Sequence, residues 1–254
     1  MMRGLRFAWI ALLVAVLVAA ALWSLPARWA MAFIPESSPV VVTDASGTMW
    51  SASATVAVGV GGLRRILPDP VQWRLAFDGG PRLVVSHPWL GGPLALSPAW
   101  NGLRLSAQSL QLPASVLTAV HALFNTLDPG GEVHLSWPQL VLGPGMPSSK
   151  DDAPLLTAQW RNASSSLTRV RPMGDYTLTL KPGSGDAIAL SLATSRGPLM
   201  MEGAGTLSRS RAQFDGKAWV EESASGDTHA ALQGLLAAMG PSTGPDSQTL
   251  LKIR

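Results

Sequence analysis

The stretch DYTLTLKPGSGDAIALSLAT, residues 175–194, decides the fold class. Apolar and polar side chains alternate on both sides of a central turn sequence, KPGSGD. Alternation with period two is typical of β-strands that have one buried face and one wetter face. The turn is rich in Gly and Pro, so it predicts a hairpin of two antiparallel strands. The apolar positions are Tyr176, Leu178, Leu180, Ile188, Leu190 and Leu192.

Two further segments, VQWRLAF (71–77) and GEVHLSW (131–137), show the same alternation. In the first, Val71, Trp73, Leu75 and Phe77 are predicted to share one face. No long helical segments separate these strands, which argues against parallel crossovers and for an antiparallel meander. The predicted fold is therefore mainly β: a single N-terminal transmembrane helix followed by a curved antiparallel β-sheet domain with two short helices.

The two short helices are predicted at 113–125 and 227–240. The first begins with Pro113 at a favourable first helical position. The second is predicted to have Asp227 as its N-terminal cap and Gly240 as its stop. The apolar residues in both segments recur at helical spacing.

The leader FAWIALLVAVLVAAALWSL, residues 7–25, carries no charged side chain. As a helix it would be about 28 Å long, close to the roughly 30 Å hydrocarbon core of a bilayer. Arg3 and Arg6 precede it, which predicts a cytoplasmic N-terminus. The alternative is a signal peptide cleaved after Ala32, but the apolar run exceeds the usual length of such a segment. Both alternatives export the remainder of the chain.

We therefore expect a cytoplasmic N-terminus at 1–6, a transmembrane anchor at 7–28, a linker at 29–39 and a periplasmic β-rich domain at 40–254. The segment GPGMPSSKDDAP (143–154) is a candidate linker between two halves of that domain.

Charge and cysteine content exclude several classes of function. The net charge is +3, but three arginines within residues 1–28 account for it, and the remaining 16 basic residues balance the 16 acidic ones. No basic stretch is available to follow phosphates, so no nucleic-acid partner is expected. Cysteine is absent, which excludes disulfides and thiol catalysis.

Catalytic and cofactor motifs are not found in the sequence. GVGGLRR (59–65) lacks the third glycine of a dinucleotide-binding loop, and GPGMPSSK (143–150) lacks the ending of a phosphate loop. His121 lies on a predicted helix, His134 on the wet strand face, and Asp151–Asp152 in the candidate linker. A site assembled from distant residues, such as His87 and Asp175, stays open. We predict no enzyme activity, no cofactor, no metal and no small-molecule substrate.

The segment DASGTMWSASA (44–54) follows the first predicted strand, PVVV. We expect Asp44 to Gly47 to turn the chain and Thr48 to start a second strand. Trp50 either anchors the sheet near the membrane exit or fills the core, and the usual burial of aromatic residues favours the core.

Several segments together resemble the N protein family of the type II (general) secretion pathway. The apolar leader is followed by a Gly-Thr-x-Trp motif, and later segments agree in order. These are GEVHLSWPQLVL (131–142), SSLTRVRPMGDYTLTL (165–180), with Met173 in place of the family's Leu, RGPLMMEGAGTL (196–207) and the C-terminal QTLLKIR. The family-like positions are Gly47, Thr48, Trp50, Trp137, Gly174, Asp175, Tyr176, Gly197 and Pro198.

This resemblance implies a non-enzymatic accessory component of the type II secretion apparatus, which exports folded proteins across the outer membrane. It implies a single-pass protein of the inner membrane with its bulk in the periplasm. Its partners would be other inner-membrane or periplasmic components of the apparatus. An alternative is a membrane-anchored lipid-handling protein, in which the apolar sheet face forms an open groove.

Overall fold

The computed structural model describes residues 2–29, 35, 38, 40–59, 64–119, 122–145, 147–149, 153–208, 211–240, 242–243 and 248–253. The predictions on His121, on Asp151–Asp152 and on cleavage after Ala32 lie outside these residues. The described chain is mainly β, with antiparallel pairing throughout the two sheets, so the predicted fold class is confirmed at that level.

The first sheet is built mainly from the N-terminal half of the chain. Its strands pair in the order β1, β2, β4, β5, β6, β7, β10, β11, and β3 pairs with β2. The strands are β1 (Val40–Thr48), β2 (Ser51–Val58), β3 (Arg65–Ile66), β4 (Val71–Ala76), β5 (Arg82–Ser86), β6 (Leu94–Ala99), β7 (Gly102–Leu105), β10 (Leu140–Leu142) and β11 (Ser148–Ser149).

The second sheet contains the hairpin that decided the fold class. Its strands pair in the order β17, β18, β16, β15, β14, β13, β12, β9, β8. They are β8 (Gln108–Pro113), β9 (Gly130–Trp137), β12 (Leu156–Ser164), β13 (Gly174–Pro182), β14 (Ile188–Arg196), β15 (Leu199–Leu207), β16 (Ala212–Val220), β17 (Ser242–Thr243) and β18 (Gln248–Ile253).

The two sheets exchange strands in the middle of the chain. β8 and β9 precede residue 143 but belong to the second sheet, and β10 and β11 follow them but belong to the first. The sheets also touch where the β5–β6 connection meets β8. There Gly91 donates to the carbonyl of Ser109 (2.9 Å), and Gln111 donates to that of Trp89 (2.8 Å). This connection covers part of the outer side of β8.

The helix predicted at 113–125 is divided. Pro113 ends β8, opposite Glu132, and a 3-10 helix occupies Ala114–Ala119. An α-helix, α2, then spans Ala122–Leu127. The prediction of one helix starting at Pro113 is therefore wrong. Proline fits the end of a strand at the border of a sheet, and the β-branched residues Val116 and Thr118 weaken the α-helical preference.

The C-terminal helix, α3 (Gly226–Met239), is where the sequence predicts it. Its N-cap is Ser225, whose side chain accepts a hydrogen bond from Thr228 N (3.3 Å), whereas Asp227 lies in the first turn. The predicted cap at Asp227 is therefore displaced by two residues. Gly240 ends the helix as predicted.

The main core lies between α3 and one face of the second sheet. Leu232, Leu235 and Leu236 of the helix are buried against strand residues. Those strand and loop residues are Ala163, Met173, Tyr176, Leu199 and Ala218. Where α3 lies, the apolar face of this sheet is therefore a closed core and not an open groove.

The N-terminal helix, α1, spans Met2–Trp23. Taken over the residues that the structure describes, no helix is long and apolar enough to cross a membrane. The described side chains along this helix, among them Ile10, Leu13 and Leu17, are exposed.

Candidate functional site

The end of α1 is held by the turn between β1 and β2. The indole N–H of Trp50 donates to the carbonyl oxygen of Leu22 (2.9 Å), and the Met49 N–H donates to that of Leu25 (2.9 Å). The ring of Trp50 also stacks on Trp23, with centroids 6.4 Å apart and planes 25° from parallel. The carbonyl groups at a helix C-terminus lack partners within the helix, so the turn supplies donors where the helix needs them.

The turn itself comes later than expected. β1 continues through Asp44 and Gly47 to Thr48, past a register shift between Val42 and Asp44, and the chain reverses at Met49–Trp50. The prediction of a turn at Asp44–Gly47 is therefore wrong, because those residues pair with β2. A bulge of this kind inserts a residue without ending the strand.

Gly47 and Thr48 shape this hairpin. Gly47 has φ +98°, and a Cβ there would lie 2.5 Å from the carbonyl oxygen of Ser51. The Thr48 hydroxyl accepts a hydrogen bond from Ser51 N (3.2 Å). Thr48 also forms a β-bridge with Pro26, three residues after the end of α1. Only glycine combines this backbone angle with this close approach.

Trp50 does not fill the core, although burial statistics favoured that position. It is half-buried, and its carbonyl oxygen accepts from Leu75 N (2.6 Å) in β4. The indole N–H of Trp73, also in β4, donates to Met49 O (3.0 Å). Trp50 therefore joins α1 to the first sheet, and the prediction that it fills the core is wrong.

A second group of family-like residues meets at the β14–β15 turn. Gly197 has φ +120°, and a Cβ there would lie 2.3 Å from the Cα of Gly174. Directly beside them, Leu199 N donates to Met173 O (3.0 Å). The carbonyl of Pro198 accepts from Glu221 N (2.8 Å), which ties the turn to the end of β16. The two glycines let two backbone segments cross in contact.

Tyr176 is the buried polar centre of this group. Its side chain is 3% exposed, and its hydroxyl donates to the carbonyl oxygen of Leu199 (3.0 Å). Burial, with a smaller contribution from the neighbouring Asp175 charge, raises the pKa of Tyr176 well above its usual range. The phenol therefore stays neutral and acts as a hydrogen-bond donor within the core.

Asp175 lies at the surface of the same group. One carboxylate oxygen accepts from Asn162 N (2.7 Å), and the other pairs with the Arg196 guanidinium (2.8 Å). Asn162 has φ +49°, at a register shift in β12. The carboxylate thus fixes an irregular strand segment, which is a structural task.

Trp137 lies apart from both groups, at the end of β9. Its indole N–H donates to Ser106 O (3.1 Å), in the segment that connects β7 with β8. It therefore holds the place where the chain passes between the two sheets.

Among the described residues, His87 and His134 do not come together with acidic residues in a pocket. His87 accepts from Trp89 N at Nδ1 (3.1 Å), so its proton is on Nε2, which contacts Asp69 O (3.2 Å). It lies in the first sheet, whereas Asp175 lies in the second, so the structure does not form the pair considered from the sequence. His134 contacts the exposed Glu132 (3.3 Å). Within the described residues, no three His, Asp or Glu side chains are placed to hold a metal ion.

Of the family-like positions, the structure therefore brings together Gly174–Tyr176 with Gly197–Pro198. It places Gly47–Trp50 at the end of α1, and Trp137 between the sheets. Sequence reasoning missed the partner of Trp50, the backbone carbonyl of Leu22. No side-chain pattern signals such a bond, because any residue carries that carbonyl.

Comparison with known families gives one match. Residues 38–250 match the family described as Type II secretion system (T2SS), protein N. The chain belongs to this family. The match covers most of the chain and extends from the border of β1 into β18, so both sheets and α3 lie within it. No curated protein and no solved structure matches the chain significantly.

Membership of the protein N family makes this chain an accessory component of protein transport by the type II secretion system. The resemblance noted from the sequence motifs is thereby confirmed. Its partners are other components of that system.

Proposed function

We propose that this protein N is a non-enzymatic component anchored in the cell inner membrane by α1, with both sheets in the periplasm. In that position it binds other inner-membrane or periplasmic components and supports the export of folded proteins. The family match over residues 38–250 carries this proposal. The family-like residues support it further, because each of them makes a structural contact.

The anchor is supported by the charge pattern of the leader. Residues 7–25 carry no charge, and α1 covers most of them. The positive residues Arg3 and Arg6 come first, which orients the following chain towards the periplasm. Trp23 is the last residue of the helix and Trp29 follows six residues later, and indole rings favour the boundary between lipid and water.

The edge strand β1 is the best candidate for binding a partner protein. It is the longest described strand at an outer border of either sheet, with nine residues. An edge strand presents backbone donors and acceptors to which another chain can add a strand. The other long edge strand, β8, is partly covered by the β5–β6 connection.

The function is tested in the native bacterium by deleting residues 40–254 and measuring exoproteins in the culture medium. We expect secretion to fall, because the partner-binding sheets are lost while α1 remains. Undiminished secretion with normal assembly of the apparatus would contradict the proposal.

The binding edge is tested with a photo-activatable residue at Asp44, which is exposed in β1. We expect cross-links to another secretion component. The matched control is the same residue at Ser184, exposed in the β13–β14 turn, where no such product is expected. Identical products at both positions would remove β1 as the binding edge.

A lipid-handling role is the second candidate, and one observation favours it. The strand register aligns five leucines across neighbouring strands of the first sheet, on one face. They are Leu75, Leu83, Leu96, Leu105 and Leu140. All but the last are only half-buried. A photo-activatable residue at Leu96 that captures phospholipid in cells would support a groove, and capture of protein alone would count against it.

A further inference from the structure

We infer that one edge of the first sheet lies on the periplasmic surface of the inner membrane and inserts two aromatic side chains, Phe77 and Trp100, into the lipid interface. This inference rests on the proposed anchoring by α1. It goes beyond the anchor, because it assigns a lipid-binding surface to the β-sheet itself.

The topology places three turns at this edge. β4 is antiparallel to β2, so it ends where β2 begins, beside the turn that holds α1. β6 runs in the same direction as β4, because both are antiparallel to β5. The β1–β2, β4–β5 and β6–β7 turns therefore share one edge with the end of α1. We call it the helix-side edge.

The β4–β5 hairpin reaches past the β1–β2 turn that holds the end of α1. Leu75 N donates to Trp50 O, so these residues lie level with each other. The hairpin continues beyond this level through Ala76 into the turn at 77–81. If α1 enters a bilayer at Trp23, the neighbouring hairpins reach the same lipid surface.

The β4–β5 and β6–β7 turns each present an aromatic side chain to solvent. Phe77 is 62% exposed, and Trp100 is 105% exposed, so the side chain of Trp100 is fully open to solvent. A fully exposed tryptophan on a two-residue turn contributes no packing to the fold. Beside it, the paired residues Leu103 and Leu142 are 38% and 37% exposed.

The distribution of exposed aromatic residues points to lipid. Among the described residues, five aromatic side chains are exposed. All of them lie on α1, shortly after it, or at the helix-side edge. They are Trp9, Trp23, Trp29, Phe77 and Trp100. The second sheet has none. Aromatic residues concentrate in this way at the level of lipid headgroups.

Arginines near the same edge fit the headgroups. The register places Arg82 opposite Ala76 and Arg104 opposite Ser97, on the sheet face opposite the aligned leucines. Arg104 and Arg74 are exposed. Arg82 pairs with Asp78, and its positive charge balances the negative charge of this carboxylate in the turn. Long arginine side chains can reach anionic headgroups while the turns enter the interface.

The test uses the natural absence of cysteine. Single cysteines are introduced in the full-length chain as Phe77→Cys, Trp100→Cys, Leu17→Cys and Leu167→Cys, and each is labelled with an environment-sensitive fluorophore. Leu17 reports on α1. Leu167 is the matched control, a leucine exposed to 40% in the connection between β12 and β13 of the second sheet. The proteins are reconstituted in phosphatidylethanolamine–phosphatidylglycerol vesicles that contain lipids spin-labelled near the headgroup or along the acyl chain.

We expect labels at 77 and 100 to lose most of their fluorescence to the headgroup-proximal quencher, label 17 to the acyl-chain quencher, and label 167 to neither. Quenching at 17 without quenching at 77 and 100 would overturn the membrane-bound edge and leave the anchor standing. No quenching at 17 would overturn the anchor and the inference that rests on it. In whole envelopes, protection of 77 and 100 from aqueous iodide without quenching by lipid would assign the edge to a partner protein instead.

Discussion

The two sheets of this protein contain the same number of strands but bury their apolar groups differently. The second sheet is covered by α3, and large side chains such as Leu199, Leu232 and Leu235 are fully enclosed between them. In the first sheet the buried residues are mostly small, for example Ala54, Ala57 and Val84. Apart from Leu140, its larger apolar side chains are half-buried or exposed.

The two sheets therefore differ in what they contribute: the second stabilises the fold, and the first offers surface for contact with other molecules. The second sheet and α3 form a closed core of large buried side chains, and burial of such side chains stabilises the fold. The first sheet relies on strand pairing and leaves apolar surface available to lipid or a partner. Variants in the second sheet should therefore change global stability strongly, and matched variants in the first sheet should change it little.

The largest effect is expected for Gly197→Val. The positive φ and the contact with the Cα of Gly174 cannot accept a branched side chain, so we expect a loss of about 4 kcal/mol in the free energy of unfolding. Urea unfolding of the detergent-solubilised full chain measures it. The control is Gly185→Ala, where φ is +63° but no atom lies within 4 Å, and the expected loss is only about 1 kcal/mol.

Leu232→Ala should have the next largest effect. This side chain is fully buried between α3 and the second sheet, so its truncation should cost about 3 kcal/mol. Leu83→Ala in the first sheet, where the side chain is half-buried, should cost about 1 kcal/mol. Equal losses for the two variants would contradict the division into a closed and an open sheet.

The raised pKa of Tyr176 predicts that the protein loses stability at alkaline pH. Above pH about 10 the tyrosine of the unfolded chain loses its proton, while the buried phenol keeps it. The native state then binds more protons than the unfolded state, so stability should fall by about 1.4 kcal/mol per pH unit from this group. Because the chain has one tyrosine, absorbance of tyrosinate reports it directly. Tyr176→Phe should lack this component of the slope, and an identical slope in both proteins would refute the assignment.

The smallest global effect is expected for Trp50→Phe. It removes the hydrogen bond to Leu22 O at the border of the first sheet, at a cost of about 0.5 kcal/mol. Hydrogen exchange should accelerate at residues 22–26 and 48–51 and stay unchanged in β13–β15. Trp160→Phe is the counterpart in the second sheet, where the indole N–H donates to Gly130 O (2.9 Å), and should cost about 1 kcal/mol. A larger effect of Trp50→Phe than of Trp160→Phe would reverse the expected ranking.

Strands and α3 could be predicted from the sequence because their signals are local. The alternation around Tyr176, the period of Leu232 and Leu235, and the stop at Gly240 each depend on neighbours in the chain. The alternating pattern placed Phe77 on the same face as Trp73 and Leu75. However, β4 ends at Ala76, and the Phe77 side chain is exposed to solvent.

Features that depend on long-range pairing were not accessible from the sequence. β1 continues past the bulge before Asp44, so the chain turns at Met49–Trp50 and not at Asp44–Gly47. The exchange of strands between the sheets has no compositional signal. Gly197 and Tyr176 were noted from the sequence as family-like residues, but the contact of Gly197 with Gly174 and the hydrogen bond from Tyr176 to Leu199 require β13 and β15 to lie on either side of β14.

The exchange of strands also has a consequence for how the chain folds. β7 acquires its outer neighbour, β10, only after residues 106–137, which contain β8 and β9 of the other sheet, have been synthesised. The first sheet therefore cannot be completed vectorially as the chain emerges. Cutting the chain near residue 143 would remove β11 from one fragment and β8 and β9 from the other, so neither fragment is a natural folding unit. Folding of the first sheet is thus coupled to the placement of β8 and β9 in the second, and a cut at this linker would not separate two independent halves.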